Sequence, residues 1–493
     1  PEAVTRVEDF LAASVAARPD APAVEDAVAG VLSYAGLAAE TARYAALMRD
    51  ALAPGDRVMI LSENSVAAVA VTFAAWQCGA TVVPINARQT AREVDRVIAH
   101  ADPRLVFFTA QISDDAAVHA ARLGAQGGAV PMLTRTPHKH PCARDVAVIL
   151  YTTGTTGEPK GVMLTHGNVC FGARTSATLR DMVADDVILG VLPITHVFGL
   201  CSVLVASVWK GAFMRLLPRF DPARALATLR DGVTLFSGVP QMHALLMAHA
   251  AAEGADALGS DSLRYVSSGA APLDPAWKRE AEAFYGVAVQ NGYGMTESTA
   301  GIAATRHSIG NPDMSVGPAL PEVEVRVDET VPGGGDGQGE VLTRGPHVMP
   351  GYFDAPARTS EVLSEDGWLR TGDLGRFDDL GHLHILGRSK ELIIRGGFNV
   401  YPPEVEAVLT DHPDVVQSAV VGRAVGGDEE VIAFVQVRAE AVLTEQALGA
   451  FAAGHLAGYK RPAHYVFAER LPAASTGKIL KHLLLDTFAQ ELA

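Results

Sequence analysis

The sequence has 493 residues, of which 48% are hydrophobic and 19% charged, and its formal net charge is −16. A chain of this length can bury large cores and form more than one domain. Because nucleic-acid phosphates and anionic membranes attract clustered Lys and Arg, the negative charge argues against both as partners.

Cysteine content and the first residues indicate the compartment. The four cysteines are scattered and none forms a CxxC pair, so we expect no disulfide framework. The first twenty residues lack a basic segment followed by an apolar one, so we expect no secretory signal. These features predict a cytoplasmic protein without stable membrane insertion, either a monomer or a homodimer.

The first part of the chain contains apolar runs typical of buried strands, at 56–61 and 104–108. Between them, Val66–Ile85 is apolar and long enough to span a bilayer. Its interruption by Gln77, Gly79 and Pro84 instead favours a buried helix, a glycine turn and a buried strand.

From about 145 to 292, apolar β-type runs alternate with helical patterns. The candidate strands are 145–151, 187–193, 212–218, 233–238, 263–269 and 287–290, and the candidate helices include 200–209, 221–230, 240–250 and 274–286. Such alternation predicts βαβ units and a parallel sheet covered by helices on both faces.

After Pro321 the pattern changes. Segments 322–327 and 339–345 alternate with period two around a glycine-rich turn, which predicts antiparallel hairpins. A small mixed unit follows, with helices at 402–412 and 444–456 and strands at 417–424 and 430–437. We expect an α/β fold with two domains. The large N-terminal domain, 1–387, has doubly wound parallel sheets and a small antiparallel β region, and the C-terminal domain, 388–493, is small, mobile and α+β.

The strongest local motif is the string Tyr151–Gly161, which is rich in Gly and Thr and contains Lys160. Glycines let backbone N–H groups approach phosphates, and hydroxyls and Lys add further donors. Pro159 and Gly161 flank the lysine, so the string differs from the ATPase P-loop, which needs Gly-Lys-Ser/Thr. We expect phosphate binding by Thr152, Thr153, Gly154, Thr155, Thr156, Gly157 and Lys160.

This string resembles the phosphate loop of the adenylate-forming superfamily of acyl-CoA synthetases, peptide-synthetase adenylation domains and luciferases. Further segments that resemble the superfamily's motifs follow in its order: 192–196, 268–272, 291–297, 351–352, 368–373, 387–390 and 475–478. The resemblance covers nearly the whole chain, and it is closest to the 4-coumarate–CoA ligase-like and fatty acyl-CoA ligase-like enzymes.

The resemblance implies an ATP-dependent carboxylic acid–CoA ligase that uses Mg²⁺-ATP to form an acyl-AMP and then transfers the acyl group to CoA. One alternative is an acyl-AMP ligase that loads a carrier protein. Another, from a different class, is a catalytically inactive adenylate-binding protein. The presence of Thr155, Glu297, Asp373 and Lys478 argues against the inactive protein.

The resemblance also implies roles at the nucleotide. Asp373 would accept bonds from both ribose hydroxyls, Glu297 would bind Mg²⁺, Thr296 would bond the α-phosphate, and Tyr293 would stack on adenine. Lys478 would offset the repulsion between substrate carboxylate and phosphate, so Lys478, Thr155 and Glu297 are the expected catalytic residues. The remaining expected ATP contacts are Gly269, Ala270, Ala271, Asn291, Gly292 and Arg388.

In the small domain, the resemblance implies a hinge at Lys390 and a pantetheine tunnel beside Gly396 and Gly397. Plant 4-coumarate–CoA ligases have Lys where this chain has Gly396, so the resemblance carries over no Lys contact to CoA.

The expected acyl pocket has seven members: His196, Phe198, Ser268, Gly269, Gly292, Ala300 and Gly301. No Asp lies near His196 to hold an amino group, and Asn291 stands where malonate-type relatives have Arg. Met295 stands where acetate-type relatives have Trp, which leaves room for a larger acid. We therefore expect an aromatic or medium-chain monocarboxylic acid. We expect His382 and His384 to be strand residues without metal-ligand neighbours.

Overall fold

The structure, a computed structural model, describes residues 6–153, 159–269, 273, 275–395, 398–425, 428–438, 441–473 and 479–492. The helices are α1 (Glu8–Ala17), α2 (Tyr34–Met48), α3 (Val66–Gln77), α4 (Ala91–Ala101), α5 (Asp114–Leu123), α6 (His166–Leu179), α7 (Ala206–Lys210), α8 (Pro222–Arg230), α9 (Pro240–Ala252), α10 (Pro275–Tyr285), α11 (Pro356–Val362), α12 (Pro402–Thr410), α13 (Glu445–His455) and α14 (Leu484–Thr487).

The strands are β1 (Pro22–Asp26), β2 (Gly30–Ser33), β3 (Arg57–Ser62), β4 (Thr81–Asn86), β5 (Leu105–Phe108), β6 (Met132–Thr134), β7 (Val146–Thr153), β8 (Pro159–Thr165), β9 (Val187–Gly190), β10 (Phe213–Leu216), β11 (Leu235–Gly238), β12 (Tyr265–Gly269), β13 (Val289–Tyr293), β14 (Ala303–Ala304), β15 (Glu324–Asp328), β16 (Gln338–Arg344), β17 (Gly351–Tyr352), β18 (Leu369–Phe377), β19 (Leu383–Arg388), β20 (Ile393–Arg395), β21 (Phe398–Val400), β22 (Val415–Val425), β23 (Asp428–Val437) and β24 (His464–Ala468).

Two large mixed sheets dominate the first part of the chain. The eight-stranded sheet has the order β14-β13-β12-β11-β9-β10-β1-β2, and its strands from β13 to β1 pair in parallel. The seven-stranded sheet has the order β17-β8-β7-β4-β3-β5-β6, and its strands from β7 to β5 pair in parallel. Helices pack on both faces of each sheet, which confirms the predicted doubly wound α/β architecture.

One predicted neighbour relation is wrong. The strand expected at 145–151 is β7, which lies in the seven-stranded sheet and not beside the five strands that follow it in the sequence pattern. After β7 the chain returns at once as β8, which pairs with it antiparallel. A connection this short joins antiparallel strands, because a parallel crossover needs a dozen or more residues.

Helix α3 lies between the two large sheets and holds them together. Every residue from Val66 to Trp76 is buried, and the helix contacts β3 and β4 of one sheet and β1 of the other. Ser65 caps its first turn, and Trp76 Nε1 donates to the Ala147 carbonyl at 2.9 Å. The predicted buried helix, turn and strand over 66–85 are confirmed. Among the described residues, no helix is long and apolar enough to cross a membrane.

The rest of the chain forms smaller sheets. Strands β15, β16, β18 and β19 form an antiparallel sheet in that order, and its β15–β16 hairpin is the one predicted from the period-two pattern of 322–327 and 339–345. Beyond it, β22, β23 and β24 pack against α12 and α13 around a separate apolar core. Strands β23 and β24 are parallel because α13 makes the crossover between them.

Candidate active site

The segment Asn291–Glu297 connects the two most polar groups of the candidate site. It leaves the carboxyl end of β13 and enters a short helical turn at Thr296–Ser298. The neighbouring parallel strand β12 ends at Gly269, directly opposite Gly292. The carboxyl ends of parallel strands are the usual ligand-binding edge of an α/β sheet.

The first polar group, which we call the Asp373 group, consists of Asp373, Tyr293 and Arg388. The Tyr293 hydroxyl donates to Asp373 Oδ2 at 2.6 Å, and Arg388 Nε lies 3.2 Å from Asp373 Oδ1. Asp373 and Arg388 lie directly opposite each other in the β18–β19 hairpin. The Asp373 side chain is 7% exposed and that of Arg388 is 46% exposed, so the carboxylate is buried and the guanidinium faces outward.

Electrostatics keep Arg388 charged and Tyr293 protonated. The Asp373 carboxylate raises the pKa of Arg388, so its cation is retained. Burial and the same carboxylate raise the pKa of Tyr293 well above its ordinary value, so its hydroxyl remains a donor. Two donors aimed at one carboxylate hold its orientation for hydrogen bonding.

The second polar group, the Glu297 group, consists of Glu297, Tyr352 and Lys160. The Tyr352 hydroxyl donates to Glu297 Oε1 at 2.8 Å, and Lys160 Nζ lies 3.2 Å from the same oxygen. Lys160 Nζ also lies 4.1 Å from the centre of the Tyr352 ring. Burial and Glu297 raise the pKa of Tyr352. Within the described chain these contacts reach Oε1, so Oε2 suits a hard cation such as Mg²⁺.

The predicted phosphate loop connects β7 and β8. Thr152 and Lys160 are paired across these two strands, next to the start and end of the loop. Lys160 thus lies at the mouth of the loop and beside Glu297 at once. The side chain of Thr153 and the four loop residues Gly154, Thr155, Thr156 and Gly157 lie outside the described part of the structure, as do Ala270 and Ala271.

Asn291 and Thr296 are buried within the connecting segment. Asn291 Nδ2 donates to the Ser315 carbonyl at 3.1 Å, and its Oδ1 accepts from Gly292 N at 3.0 Å. The Asn291 side chain therefore fixes the backbone at Gly292. Thr296 is 6% exposed and begins the turn that presents Glu297.

The predicted acyl-pocket residues fall into two neighbouring sets. In the first, His196 Nδ1 accepts from Phe198 N at 3.3 Å, and the Phe198 ring lies against Gly269, where an added Cβ would come within 3.0 Å of Cε1. Ser268, 1% exposed, precedes Gly269 on β12.

The second set follows Glu297. Thr299 and Ala300 both have positive φ, 51° and 80°, and the Thr299 hydroxyl donates to the His347 carbonyl at 2.6 Å. At Gly301 an added Cβ would lie 2.8 Å from Leu320 Cδ1, so only glycine fits without displacing that side chain.

Near the predicted hinge, Lys390 is exposed in a short turn, Ser389–Glu391. The next residue, Glu391, pairs with Lys481 at 3.1 Å, and Lys481 also lies 2.7 Å from Glu406. Burial would lower the pKa of Lys481, but the two carboxylates raise it. The hinge turn is thereby tied to the C-terminal segment. Gly396, Gly397 and Lys478 lie outside the described residues.

Tyr352 is the site residue that sequence reasoning missed. Gly351-Tyr352 was one of the recognised segments, but no role was expected for its hydroxyl. Strand β17 pairs with β8 and brings Tyr352 beside both Glu297 and Lys160. The available signal was a tyrosine in a segment that resembles a motif of the adenylate-forming superfamily.

Family comparison agrees with this geometry. Residues 11–353 match the family model described as AMP-binding enzyme, and residues 404–478 match the model of the AMP-binding enzyme C-terminal domain. Together the two matches span most of the chain.

Individual relatives extend the comparison. A feruloyl-CoA synthase from Amycolatopsis sp is 36% identical over 461 residues, covering 91% of this chain and 92% of the relative. A long-chain-fatty-acid–CoA ligase from Bacillus subtilis is 37% identical over 350 residues, covering 69% and 62%. The crystal structure of ATP-bound MatB from Rhodopseudomonas palustris has a TM-score of 0.83 at 32% identity, covering 99% of this chain and 100% of that one.

Proposed function

The chain belongs to the AMP-binding enzyme family and is an AMP-forming acid–thiol ligase, and we propose that it joins an aromatic monocarboxylic acid to CoA through an acyl-AMP intermediate. It uses ATP with Mg²⁺, and CoA is the co-substrate. The observation that supports this proposal best is the pair of buried carboxylates, Asp373 bonded by Tyr293 and Glu297 bonded by Tyr352, which lie near the two ends of the segment Asn291–Glu297.

We assign the nucleotide to these two groups. Asp373 binds the ribose hydroxyls, and Arg388, already beside it, contributes its outward-facing guanidinium. Glu297 is the protein ligand that suits Mg²⁺, a cation that would draw negative charge from the phosphates when bound. Lys160, between Glu297 and the phosphate loop, binds phosphate as a point charge.

The first half-reaction is an attack on phosphorus. A carboxylate oxygen of the acid bonds to the α-phosphorus while the bond to the bridging oxygen of the β-phosphate breaks, and pyrophosphate leaves. Both partners are negative, so cationic groups lower the barrier most where they touch both. We assign this role to Lys478, with Thr155 and Thr296 orienting the phosphates.

The second half-reaction is thioester formation. The CoA sulfur, after losing its proton, attacks the acyl carbonyl carbon, and the bond from that carbon to the phosphate oxygen breaks to release AMP. We propose that residues 388–493 form a separate domain that turns at Lys390 between the two steps, and that the pantetheine arm passes Gly396 and Gly397. A hinge of this kind needs only a few backbone dihedrals to change.

The preference for an aromatic acid rests on the pocket wall. The Phe198 ring lies against Gly269, where it can stack on a planar substrate ring. The Asn291 side chain is used within the protein and offers no cation for a second carboxylate. The long, nearly end-to-end match to a feruloyl-CoA synthase also favours an aromatic acid, whereas the fatty-acid relative matches over a shorter span.

We further propose that the protein works in a reducing cytoplasm. Cys78, Cys142, Cys170 and Cys201 are all free thiols, and the last two are buried. Whether it works as a monomer or a homodimer stays a prediction, which sedimentation analysis tests directly.

The decisive experiment measures pyrophosphate release and thioester formation separately over benzoate, cinnamate, hexanoate, octanoate and dodecanoate. We expect the aromatic acids to give the highest kcat/KM for pyrophosphate release, and thioester to form with free CoA. A higher kcat/KM for octanoate than for every aromatic acid would overturn the substrate assignment. Acyl transfer to a carrier-protein phosphopantetheine but not to CoA would support the carrier-loading alternative.

Lys478→Ala tests the assignment of the first half-reaction. This variant should lose acyl-AMP formation and still convert supplied acyl-AMP and CoA to thioester. Equal loss of both steps in a folded variant would contradict the role of Lys478.

A further inference from the structure

A cluster of histidine and aspartate side chains lies at the tip of the β18–β19 hairpin, outside the candidate active site. Asp378 follows β18, His384 lies on β19, and Asp313 comes from the loop after β14. One ligand atom from each, a carboxylate oxygen or an imidazole nitrogen, lies within 4.8 Å of the other two. This arrangement contradicts the expectation that His384 lacks metal-ligand neighbours.

Two more histidines surround the same cluster. Asp313 Oδ2 lies 3.0 Å from His382 Nδ1 and 3.1 Å from His307 Nε2, and it accepts from the Ser315 hydroxyl at 2.8 Å. His384 Nε2 lies 2.9 Å from Asp378 Oδ2. Two carboxylates and three imidazoles therefore share one small region, and their side chains are between 9% and 27% exposed.

The types of donor favour a transition metal over Mg²⁺ or Ca²⁺. Imidazole nitrogen suits Zn²⁺, Cu²⁺ and Ni²⁺, whereas Mg²⁺ and Ca²⁺ prefer oxygen ligands alone. Each carboxylate already faces an imidazole nitrogen, Asp313 facing His382 and Asp378 facing His384, so donors of both kinds are held close together. The nearby ammonium of Lys278 donates to the backbone carbonyls of Asn311 and Asp313.

We propose that Asp313, Asp378 and His384 bind a divalent transition-metal ion such as Zn²⁺, with His382 or His307 available as a fourth ligand. Zinc bonds to oxygen and nitrogen are about 2.0–2.2 Å long, so two ligand atoms on one ion lie at most about 4.4 Å apart. The cluster, within 4.8 Å, needs only small side-chain rotations to reach that spacing. His384 would bind through Nε2, the ring nitrogen that faces Asp378.

Access to the cluster is open. His307 and His382 also line a surface cleft of about 1070 Å³ between α6 and residues 318–322. An ion can therefore enter from solvent without unfolding of the hairpin, which a metal site requires.

The ion would fasten two parts of the candidate active site. Asp313 lies in the loop whose Ser315 carbonyl holds Asn291, and this loop pairs with β19 through Val316 N and the Leu383 carbonyl at 2.8 Å. The opposite end of the same hairpin carries Asp373 and Arg388. The metal would thus stabilise the fold around the site, without touching substrate.

The test uses the full chain, freed of metal with a chelator and without ATP or acid. Calorimetric titration with Zn²⁺ should show one ion per chain with a matching rise in Tm. Asp378→Asn and His384→Ala should each weaken Zn²⁺ binding about tenfold or more. His455→Ala is the matched control, because His455 lies on α13 and its ring bonds the Phe451 carbonyl in the small C-terminal unit.

Two results would overturn the proposal: no Zn²⁺ binding by the wild-type chain, or equal binding by the cluster variants and by His455→Ala. Should a cluster variant fail to fold, the visible spectrum of Co²⁺ added to wild-type protein decides the question. Cobalt bands of a nitrogen- and oxygen-ligated site support the assignment, and a spectrum of aqueous Co²⁺ contradicts it. Because no substrate is present, these results are independent of the proposed acid specificity.

Discussion

The Asp373 group and the Glu297 group are built from the same parts in different ways. Each places a tyrosine hydroxyl and a cation against a buried carboxylate, at 2.6 and 3.2 Å in one group and 2.8 and 3.2 Å in the other. In the first, the two donors reach different oxygens of the carboxylate. In the second, both reach Oε1. The first arrangement orients a carboxylate for hydrogen bonding, and the second leaves one oxygen for a metal ion.

The cations differ as well. Arg388 lies opposite Asp373 in one hairpin, so the register of β18 and β19 brings the two side chains together. Lys160 reaches Glu297 from β8, which is far away in sequence and lies in a different sheet from β13, the strand before Glu297. A planar guanidinium suits a fixed two-point contact, whereas an ammonium is a point charge that a moving phosphate can share. In the proposed assignment, the locally formed pair binds ribose and the long-range pair lies at the reacting phosphates.

The largest effect should come from breaking the Glu297 group. Glu297→Gln removes the charge that suits Mg²⁺, and a charge-stabilising contact of several kcal/mol corresponds to a loss of roughly a hundredfold to a thousandfold in pyrophosphate release. More Mg²⁺ should restore part of the rate. The measurement is single-turnover pyrophosphate release against Mg²⁺ concentration. Glu324→Gln, which changes an exposed carboxylate paired with Arg344, should leave the curve unchanged.

Breaking the Asp373 group should affect ATP binding more than the chemical step. Asp373→Asn weakens charge-assisted bonds of about 1.5–3 kcal/mol each, so the KM for ATP should rise roughly tenfold to a hundredfold. The wild-type enzyme should bind 2′-deoxy-ATP more weakly than ATP, and the variant should show a much smaller difference between the two nucleotides. An equal difference in affinity in both proteins would contradict a contact between Asp373 and the ribose.

The two tyrosines offer a matched pair of smaller changes. Tyr293→Phe should raise the KM for ATP, and Tyr352→Phe should raise the Mg²⁺ concentration needed for half-maximal rate. Each removes one bond to a charged group, about 1.5 kcal/mol or roughly tenfold. Each variant is the control for the other, and an identical response in both assays would show that the two groups act as one. Because the pKa values of both tyrosine hydroxyls are raised, the KM for ATP and the Mg²⁺ requirement of the wild-type enzyme should not change on going to mildly alkaline pH.

Lowering the pH should have the smallest effect on activity, but it should have a clear effect on stability. Burial lowers the pKa of His347 and His243 to about 4 and that of His166 to about 3, from an ordinary 6.5. The unfolded chain therefore binds more protons than the folded one between pH 6.5 and 4, so stability falls as pH falls, by about 1.4 kcal/mol per pH unit for each histidine.

Of the two groups, His347 is linked to the Glu297 group, because its backbone carbonyl accepts from the hydroxyl of Thr299, two residues after Glu297. Urea unfolding at pH 5, 6 and 7 should show a shallower pH dependence for His347→Gln than for wild type. The exposed His455→Gln should keep the wild-type slope. Identical slopes for His347→Gln and wild type would mean that the imidazole is already charged in the folded protein.

The sequence predicted patterns that are local in the chain. The apolar run at 66–85 was resolved correctly into helix, turn and strand by Gln77, Gly79 and Pro84, since turn residues act where they stand. The resemblance implies that Asp373 and Arg388 both contact the nucleotide, but their pairing across the β18–β19 hairpin is seen only in the structure. Relations between distant segments were less accessible. The membership of β7 in the seven-stranded sheet, the hydroxyl of Tyr352 on Glu297, and Asp313 beside His382 all depend on which elements pack together.

Thr299 and Ala300 give the loop after Glu297 an unusual physical character. Two consecutive residues with side chains adopt the left-handed conformation, with φ of 51° and 80°, which costs of order 1–3 kcal/mol for each. The Thr299 hydroxyl bond to the His347 carbonyl opposes relaxation. The loop therefore stores backbone strain, and relaxation of that strain would move Glu297. Selection for heat resistance alone should favour glycine at 300, and selection for catalysis should retain the alanine.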